Sequence, residues 1–316
     1  MFVGHAVFAF ALVAGAAAIR GVDSTRALSL GAVAAAFAAA PDVDITYAFV
    51  GVVGAQTTDA LSVASQFWQT GNLVHRAMTH SVLVAPVVAV AAALWLRGRR
   101  LRRQRELVAA VALLAAVVAV AAAVSGGLGA VVVSLFVAVA VAIAEGVERW
   151  TDLSPRATFS TALVGLVSHP FGDLFTGSPP EMFYPLDATL FADRLSFSVD
   201  PTLNLLGAFG LELLTIWTAL VVALSLSGYS LRDAIDGRAA LGAAYAVSVL
   251  LIPAPTLELS YPFVFSVLAV GMVGAAPRVG IRSRRVELPD RVAALCTGLA
   301  AVSIAGFAYT VAYLVA

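Results

Sequence analysis

The sequence predicts an all-α protein, a polytopic transmembrane helical bundle of about ten spans. Hydrophobic residues make up 61% of the 316 residues and charged residues only 12%. Soluble domains typically carry roughly twice that share of charged residues. Apolar runs close to the roughly 20 residues that a helix needs to cross a bilayer recur along the chain. Composition and hydropathy together exclude a soluble globular domain.

The predicted spans follow one another from the N-terminus. Their approximate limits are 4–19, 27–41, 81–96, 107–124, 128–144, 157–175, 204–227, 239–253, 261–276 and 292–316. The short second span is followed by residues 45–55, which we interpret as a re-entrant or interfacial segment. The run SGGLG at 125–129 predicts a turn between two spans. We divide the chain into a membrane domain that carries the site motifs, residues 1–200, and a C-terminal region of four spans, residues 201–316.

The arginines predict how these spans are oriented. All 19 basic residues are arginine, with six in the loop 97–105 and four in 277–285. The positive-inside rule places both loops in the cytoplasm, which puts the N-terminus outside the cell membrane. Of all the arginines, only Arg76 and Arg194 then fall on the outer face. The loop 97–105 could also hold anionic lipid, although orienting the protein is a sufficient explanation for it.

Histidines and aspartates gather at the predicted outer ends of the spans. An ionisable group at membrane depth costs about 2.5–3.5 kcal/mol on insertion scales, so such groups are rare in apolar chains. Here every histidine has a carboxylate or another histidine close by in sequence or in the predicted topology. The candidates are His5, Asp42, Asp44, His75, His80, His169 and Asp173. We therefore expect a shared extracytoplasmic metal site.

Two of the motifs that carry these residues have a simpler interpretation as well. In HPFGD, His169 and Asp173 are four residues apart on one helix face, which suits two ligands of one cation. The alternative is a helix C-cap with a hydrogen-bonded His–Asp pair. In PDVD, Asp42 and Asp44 could bind the metal, or one could orient a histidine. The alternative is an acidic pair that only terminates a helix.

The motif HRAMTHS supplies two histidines and an arginine. His75 and His80 are five residues apart, about 140° around a continuous helix. Either His75 lies in the preceding irregular turn and both share one metal centre, or each histidine binds a different metal ion. Thr79 and Ser81 could hydrogen-bond nearby. Arg76 could hold a phosphate or carboxylate through its planar fork, or extend to lipid headgroups. Residues 177–203 are expected to form an interfacial loop or a short pair of strands that covers the site.

The order of these motifs resembles the YdjM-like family of membrane-associated, metal-dependent hydrolases. An early histidine, PDVD, HRAMTHS and HPFGDLFT followed by a G…YP stretch carry the resemblance over roughly residues 1–190. It implies that the seven histidines and aspartates form the metal site. The HxxxD element is also similar to that of zinc-dependent phospholipase C, which would imply phosphoester hydrolysis. One departure is Ala77, where we expect a glycine after the arginine.

These expectations give a first hypothesis and two rivals. The first is a membrane-embedded hydrolase that uses a divalent metal ion, most of all zinc, to cleave a lipid or small-molecule phosphoester. In it, Arg76 neutralises the substrate phosphate and Asp44 accepts the proton. No nucleic-acid partner is expected. The second is a metal-binding transporter or carrier, for which Glu212 in the seventh span is the main polar candidate. The third is a structural membrane protein with solvated histidines.

The orientation can be tested with single cysteines in the loops 97–105 and 177–203, after the native Cys296 is replaced by alanine. A membrane-impermeant thiol reagent should label the second loop in intact cells and the first only after permeabilisation. Labelling of both loops from the same side would contradict the predicted topology.

Overall fold

The computed structural model describes residues 2–53, 59, 62–63, 66–67, 70, 76–279 and 286–316. The regular secondary structure in this part of the chain is helical, apart from a two-residue antiparallel pair, β1 (Arg278–Val279) and β2 (Val286–Glu287). The predicted all-α class is confirmed. The chain divides into two compact units, Met1–Arg194 and Leu195–Ala316; the predicted domain boundary lies nearby, at residue 200.

The first unit is built from six helices and two 3₁₀ segments among its described residues. In chain order they are α1 (Phe2–Ile19), α2 (Ser24–Ala39), the 3₁₀ segment Pro41–Tyr47, α3 (Ala48–Val53), the 3₁₀ turn Met78–His80, α4 (Val84–Leu101), α5 (Gln104–Trp150) and α6 (Pro155–Asp173). Gly126 in α5 has non-helical dihedral angles, φ 69° and ψ −162°. The break falls in the SGGLG run, where the sequence predicts a turn between two spans.

The second unit packs around its last helix. It contains α7 (Pro201–Ser227), α8 (Leu231–Ala234), the 3₁₀ segment Gly237–Leu250, α9 (Tyr261–Val270), the 3₁₀ turn Gly271–Gly274 and α10 (Arg291–Val315). Helix α10 contacts both 3₁₀ segments. The predicted span 239–253 is thus helical, but with 3₁₀ rather than α geometry.

Four helical segments are long and apolar enough to cross a membrane: Ser24–Tyr47, Gln104–Trp150, Pro201–Ser227 and Arg291–Val315. The other predicted spans coincide with shorter helical segments. The structure therefore supports a membrane protein, and the total of ten crossings stays a prediction.

Short polar side chains fix the starts of several helices. Asp23 accepts hydrogen bonds from the backbone N–H groups at the start of α2, and Ser154 does the same before Pro155 in α6. Asp200 caps α7 by accepting from the Leu203 N–H, and this hydrogen bond lowers the pKa of the Asp200 carboxyl below its usual range. Such caps satisfy N–H groups that have no partner within the helix.

Helix α6 lies at the centre of the first unit, where it contacts α1, α2 and α4. Glycines allow this close approach. A Cβ added at Gly165 would overlap the Ala34 carbonyl oxygen and lie 2.9 Å from the Ala38 nitrogen, so the α6 and α2 backbones touch directly. Gly31 plays the same part between α2 and α1, against Ala14. Small residues at helix contacts are a common way for membrane helices to pack closely.

Gly165→Ala should therefore push α6 away from α2. We expect the free energy of unfolding, measured by denaturing-detergent titration, to fall by about 1–3 kcal/mol, as is typical of overpacking. Gly210→Ala is the matched control, because a Cβ there meets nothing within 4 Å. It should be neutral or stabilising, since alanine favours helix over glycine. Equal effects of the two substitutions would contradict the packing account.

Candidate metal centre

Four separate parts of the first unit contribute to one polar cluster. His5 lies in the first turns of α1, and Asp42 lies in the 3₁₀ segment that follows α2. His80 ends the 3₁₀ turn that precedes α4, while His169 and Asp173 lie in the last turns of α6. The helix packing brings these chain segments to the same end of the unit.

The Asp173 carboxylate is the centre of the cluster. Its Oδ1 lies 3.2 Å from His5 Nε2, and its Oδ2 lies 3.1 Å from His80 Nε2 and 3.5 Å from His169 Nε2. His169 Nε2 also lies 3.6 Å from Asp42 Oδ1. All three imidazoles thus direct the same ring nitrogen towards a small region beside the carboxylates.

These separations match the ligand shell of a metal ion. Tetrahedral ligands at about 2.0–2.2 Å from a metal ion lie roughly 3.3–3.6 Å from one another. The side chains form two overlapping groups that share His169: His5, His169 and Asp173, and Asp42, His80 and His169. In each group the potential ligand atoms lie within 4.8 Å of one another. These buried groups could hold a metal ion.

Several of the converging atoms make no well-directed hydrogen bond to any described residue. They include His5 Nε2, Asp42 Oδ2, His169 Nε2 and Asp173 Oδ2, and each is buried. A buried polar atom without a hydrogen bond is costly, and such atoms usually have a functional reason or bind an ion or water. The arrangement therefore fits a cation better than a purely structural hydrogen-bond network.

Backbone and side-chain contacts hold the imidazoles in place. His169 Nδ1 lies 2.6 Å from the Ala38 carbonyl oxygen, which fixes Nδ1 as the protonated nitrogen and leaves the Nε2 lone pair for a ligand. Thr79 Oγ1 lies 2.8 Å from His80 Nδ1 and donates to Asp44 Oδ2 at 2.7 Å. Metal-binding histidines characteristically make such contacts through their second nitrogen.

The charges of the cluster also favour a divalent cation. Among the described residues it contains three carboxylates (Asp42, Asp44 and Asp173) against the single guanidinium of Arg76, so the cluster would carry two negative charges with all three carboxylates ionised and the imidazoles neutral. Burial lowers the pKa of His80, but the nearby Asp173 and Asp44 carboxylates outweigh it and raise that pKa above its ordinary value. A proton on His80 thus balances part of the negative charge that a metal ion would otherwise balance.

Asp44 lies apart from the converging nitrogens. Its carboxylate faces His80 Nδ1 at 3.5 Å, on the opposite side of the ring from Asp173, and it belongs to neither group of potential ligand atoms. The 3₁₀ geometry of Pro41–Tyr47 explains this placement. Residues two apart in a 3₁₀ helix point about 120° apart, so Asp42 and Asp44 cannot face the same ion.

The Arg76 guanidinium contacts other groups of the protein. Its guanidinium lies 3.2 Å from Asp173 Oδ1 and donates to the carbonyl oxygens of Asp173, Thr176 and Ser178. This clamp closes the C-terminal end of α6 and orients the Asp173 carboxylate. The predicted contact with a substrate phosphate would require the guanidinium to leave these acceptors.

The predicted covering loop contacts the HRAMTHS segment. The Val82 N–H donates to the Met182 carbonyl, and Ser81 Oγ donates to the Tyr184 carbonyl at 2.7 Å. Tyr184 also hydrogen-bonds through its hydroxyl to Ser125, at the break in α5. The loop thus closes one side of the cluster, while His75, the remaining predicted ligand, falls outside the described residues.

Gly172 is a site residue that the motif analysis does not single out. A Cβ at this position would lie 2.5 Å from His5 Nδ1, so the His5 ring occupies the space that a side chain would fill. The signal in the sequence is a glycine inside a helix, directly before Asp173, where alanine would favour the helix.

The sequence profile of the YdjM inner membrane protein family matches residues 1–252. The chain belongs to the YdjM inner membrane protein family. The motif-based resemblance to the YdjM-like family is confirmed, and the match extends past residue 190, into the second unit; the metal-dependent hydrolase activity stays a prediction. The family and the long apolar helices both support a location in the membrane. No curated protein and no solved structure matches the chain.

The metal content of purified variants tests this YdjM-family centre. His80→Ala and Asp173→Ala should abolish bound metal, measured by elemental analysis, while the protein stays folded in the membrane. Gly172→Ala should lower the metal affinity by about 10–100-fold, the usual cost of disturbing a ligand's support.

Gly127→Ala is the control, because a Cβ there meets nothing within 4 Å. It should leave the metal content unchanged. Wild-type metal content in both ligand variants would rule out this centre.

Proposed function

We propose that this YdjM-family protein is a metal-dependent hydrolase that cleaves a phosphoester at the extracytoplasmic membrane surface. The observation that carries the proposal is the buried convergence of three imidazoles on the Asp173 carboxylate. His5 Nε2 and His169 Nε2 are buried and make no well-directed hydrogen bond to any described residue, whereas purely structural histidines would have such partners.

Zinc is the proposed metal, since mixed imidazole and carboxylate ligands suit it. His5, Asp42, His80, His169 and Asp173 would hold the metal. A bound zinc ion would supply Lewis acidity to water and to a phosphoryl oxygen. The site lies at the ends of membrane helices, which is where lipid headgroup phosphates are found, so lipid and small-molecule phosphoesters are the proposed substrates.

Asp42 is the proposed proton acceptor in place of Asp44, through the Oδ2 atom that metal binding at Oδ1 would leave free. Its side chain is 11% exposed, whereas that of Asp44 is fully buried, and its Oδ2 makes no hydrogen bond to a described residue. Asp42 can therefore accept a proton from an attacking water through Oδ2, while another part of its side chain borders the solvent. Asp44, which accepts a hydrogen bond from the Thr79 hydroxyl, acts as a positioning residue for His80.

Arg76 serves in this proposal as a positioning residue for Asp173. Its charge stabilises the ionised carboxylate, and its contacts with backbone carbonyls hold the end of α6. The guanidinium thus maintains the cluster without binding substrate.

The core beneath the cluster favours hydrolysis over transport. A transport route needs polar groups near the middle of the membrane. In the described part of the first unit, the buried polar side chains outside the cluster and its supporting residues are Thr158 and Thr161, towards the other end of α6. Residues such as Phe37, Ala162 and Leu166 fill the intervening core. In the second unit Glu212 lies half-buried within α7, so metal flux that fails in Glu212→Gln proteoliposomes would instead support a carrier.

Hydrolysis of bis(p-nitrophenyl) phosphate and of vesicle phospholipid by the purified, zinc-loaded protein tests the proposal. We expect activity that chelation removes and zinc restores, no activity in His80→Ala, and a kcat at least about 100-fold lower in Asp42→Asn, the usual scale of acid–base catalysis.

Asp187→Asn, in the exposed part of the covering loop, is the matched control and should keep full activity. Full activity in a stoichiometrically metal-free preparation would contradict the proposal.

A further inference from the structure

A groove of about 560 Å³ lies between the C-terminal end of α4 and the first turns of α5. One end of it is polar and is lined by Arg99, Arg102 and Gln104. The other end is lined by apolar side chains, Val108, Val111 and Ala112 among them. The groove is therefore amphipathic along its length.

The polar end has an unsatisfied positive charge. Arg97 and Arg103 share Glu106, and Arg99 pairs with Glu145. Arg102 is exposed, and its guanidinium makes no ion pair or side-chain hydrogen bond to any residue in the described ranges. An anion in the groove would meet Arg102 directly and Arg99 beside it.

The apolar end faces outward from a membrane helix. Val108 is 61% exposed and Val111 is 52% exposed, and both belong to the apolar helix α5, which is long enough to cross a bilayer. An acyl chain lying along these side chains would cover apolar surface while its headgroup stays beside the arginines. A free inorganic anion would leave that surface uncovered.

The groove and the metal centre lie at opposite ends of α4. His80 lies four residues before the first residue of this helix, and Arg102 directly follows its last residue. Eighteen helical residues span about 27 Å, close to the roughly 30 Å thickness of the hydrocarbon core. A lipid in the groove thus belongs to the other leaflet from the metal centre and is not the substrate.

We propose that this groove binds one anionic membrane phospholipid, with its phosphate on Arg102 and Arg99 and an acyl chain along Val108 and Val111. Arginine pairs well with phosphate oxygens through its planar fork, and cytoplasmic basic clusters attract anionic lipid. This inference goes beyond the proposed hydrolase activity and does not depend on it.

Native mass spectrometry of the delipidated, purified protein tests the proposal. The probes are dioleoyl phosphatidylglycerol, dioleoyl phosphatidylcholine and inorganic phosphate, added separately. We expect one phosphatidylglycerol per chain to bind at least tenfold more tightly than phosphatidylcholine, with no retention of inorganic phosphate.

Three variants assign the binding to the groove. Arg102→Gln should weaken phosphatidylglycerol binding about tenfold, and Ala112→Trp should block it by filling the apolar end. Arg105→Gln is the matched control, since this exposed arginine removes the same charge three residues away and does not line the groove.

Three outcomes would overturn the proposal. Equal losses in Arg102→Gln and Arg105→Gln would show general charge attraction instead of a site. Equal binding of the two lipids, or retention of inorganic phosphate, would exclude an anionic-phospholipid groove. All the altered side chains are exposed, and unchanged thermal unfolding would confirm that each variant is folded.

Discussion

The need to balance negative charge in an apolar interior determines how the buried polar side chains of the first unit are arranged. Asp42, Asp44 and Asp173 are removed from water almost completely, and an isolated buried carboxylate is too costly to persist. Arg76 balances one of the three, and a proton on His80 balances part of the remaining charge. A divalent cation bound by these residues would complete that balance.

The helix packing makes this concentration of charge possible. Gly165 lets α6 touch α2, so that His169 reaches the Ala38 carbonyl one turn further on, and Gly172 leaves space for the His5 ring. Because these contacts are backbone to backbone or ring to backbone, they position the imidazoles without additional polar residues. The clamp of Arg76 then fixes the end of α6 where the carboxylate lies.

Much of this could be predicted from the sequence, because ionisable residues are scarce in an apolar chain. His5, His80, His169 and Asp173 stand out for that reason, and the structure brings them together. The break at Gly126 could be predicted from a local glycine run. The different placements of Asp42 and Asp44 could not be predicted from the sequence, since they depend on the 3₁₀ geometry after Pro41. The hydrogen-bond acceptors of Arg76 could not be predicted either, because they lie about 100 residues away in the chain and contact Arg76 only in the folded state.

X-ray absorption spectroscopy at the zinc edge of the purified protein tests the central claim most directly. Zinc held by these imidazoles and carboxylates should show a first shell of nitrogen and oxygen at about 2.0–2.2 Å, with outer-shell scattering from imidazole rings. A spectrum without imidazole scattering, a shell that contains sulfur, or protein that binds no metal after zinc loading would contradict it.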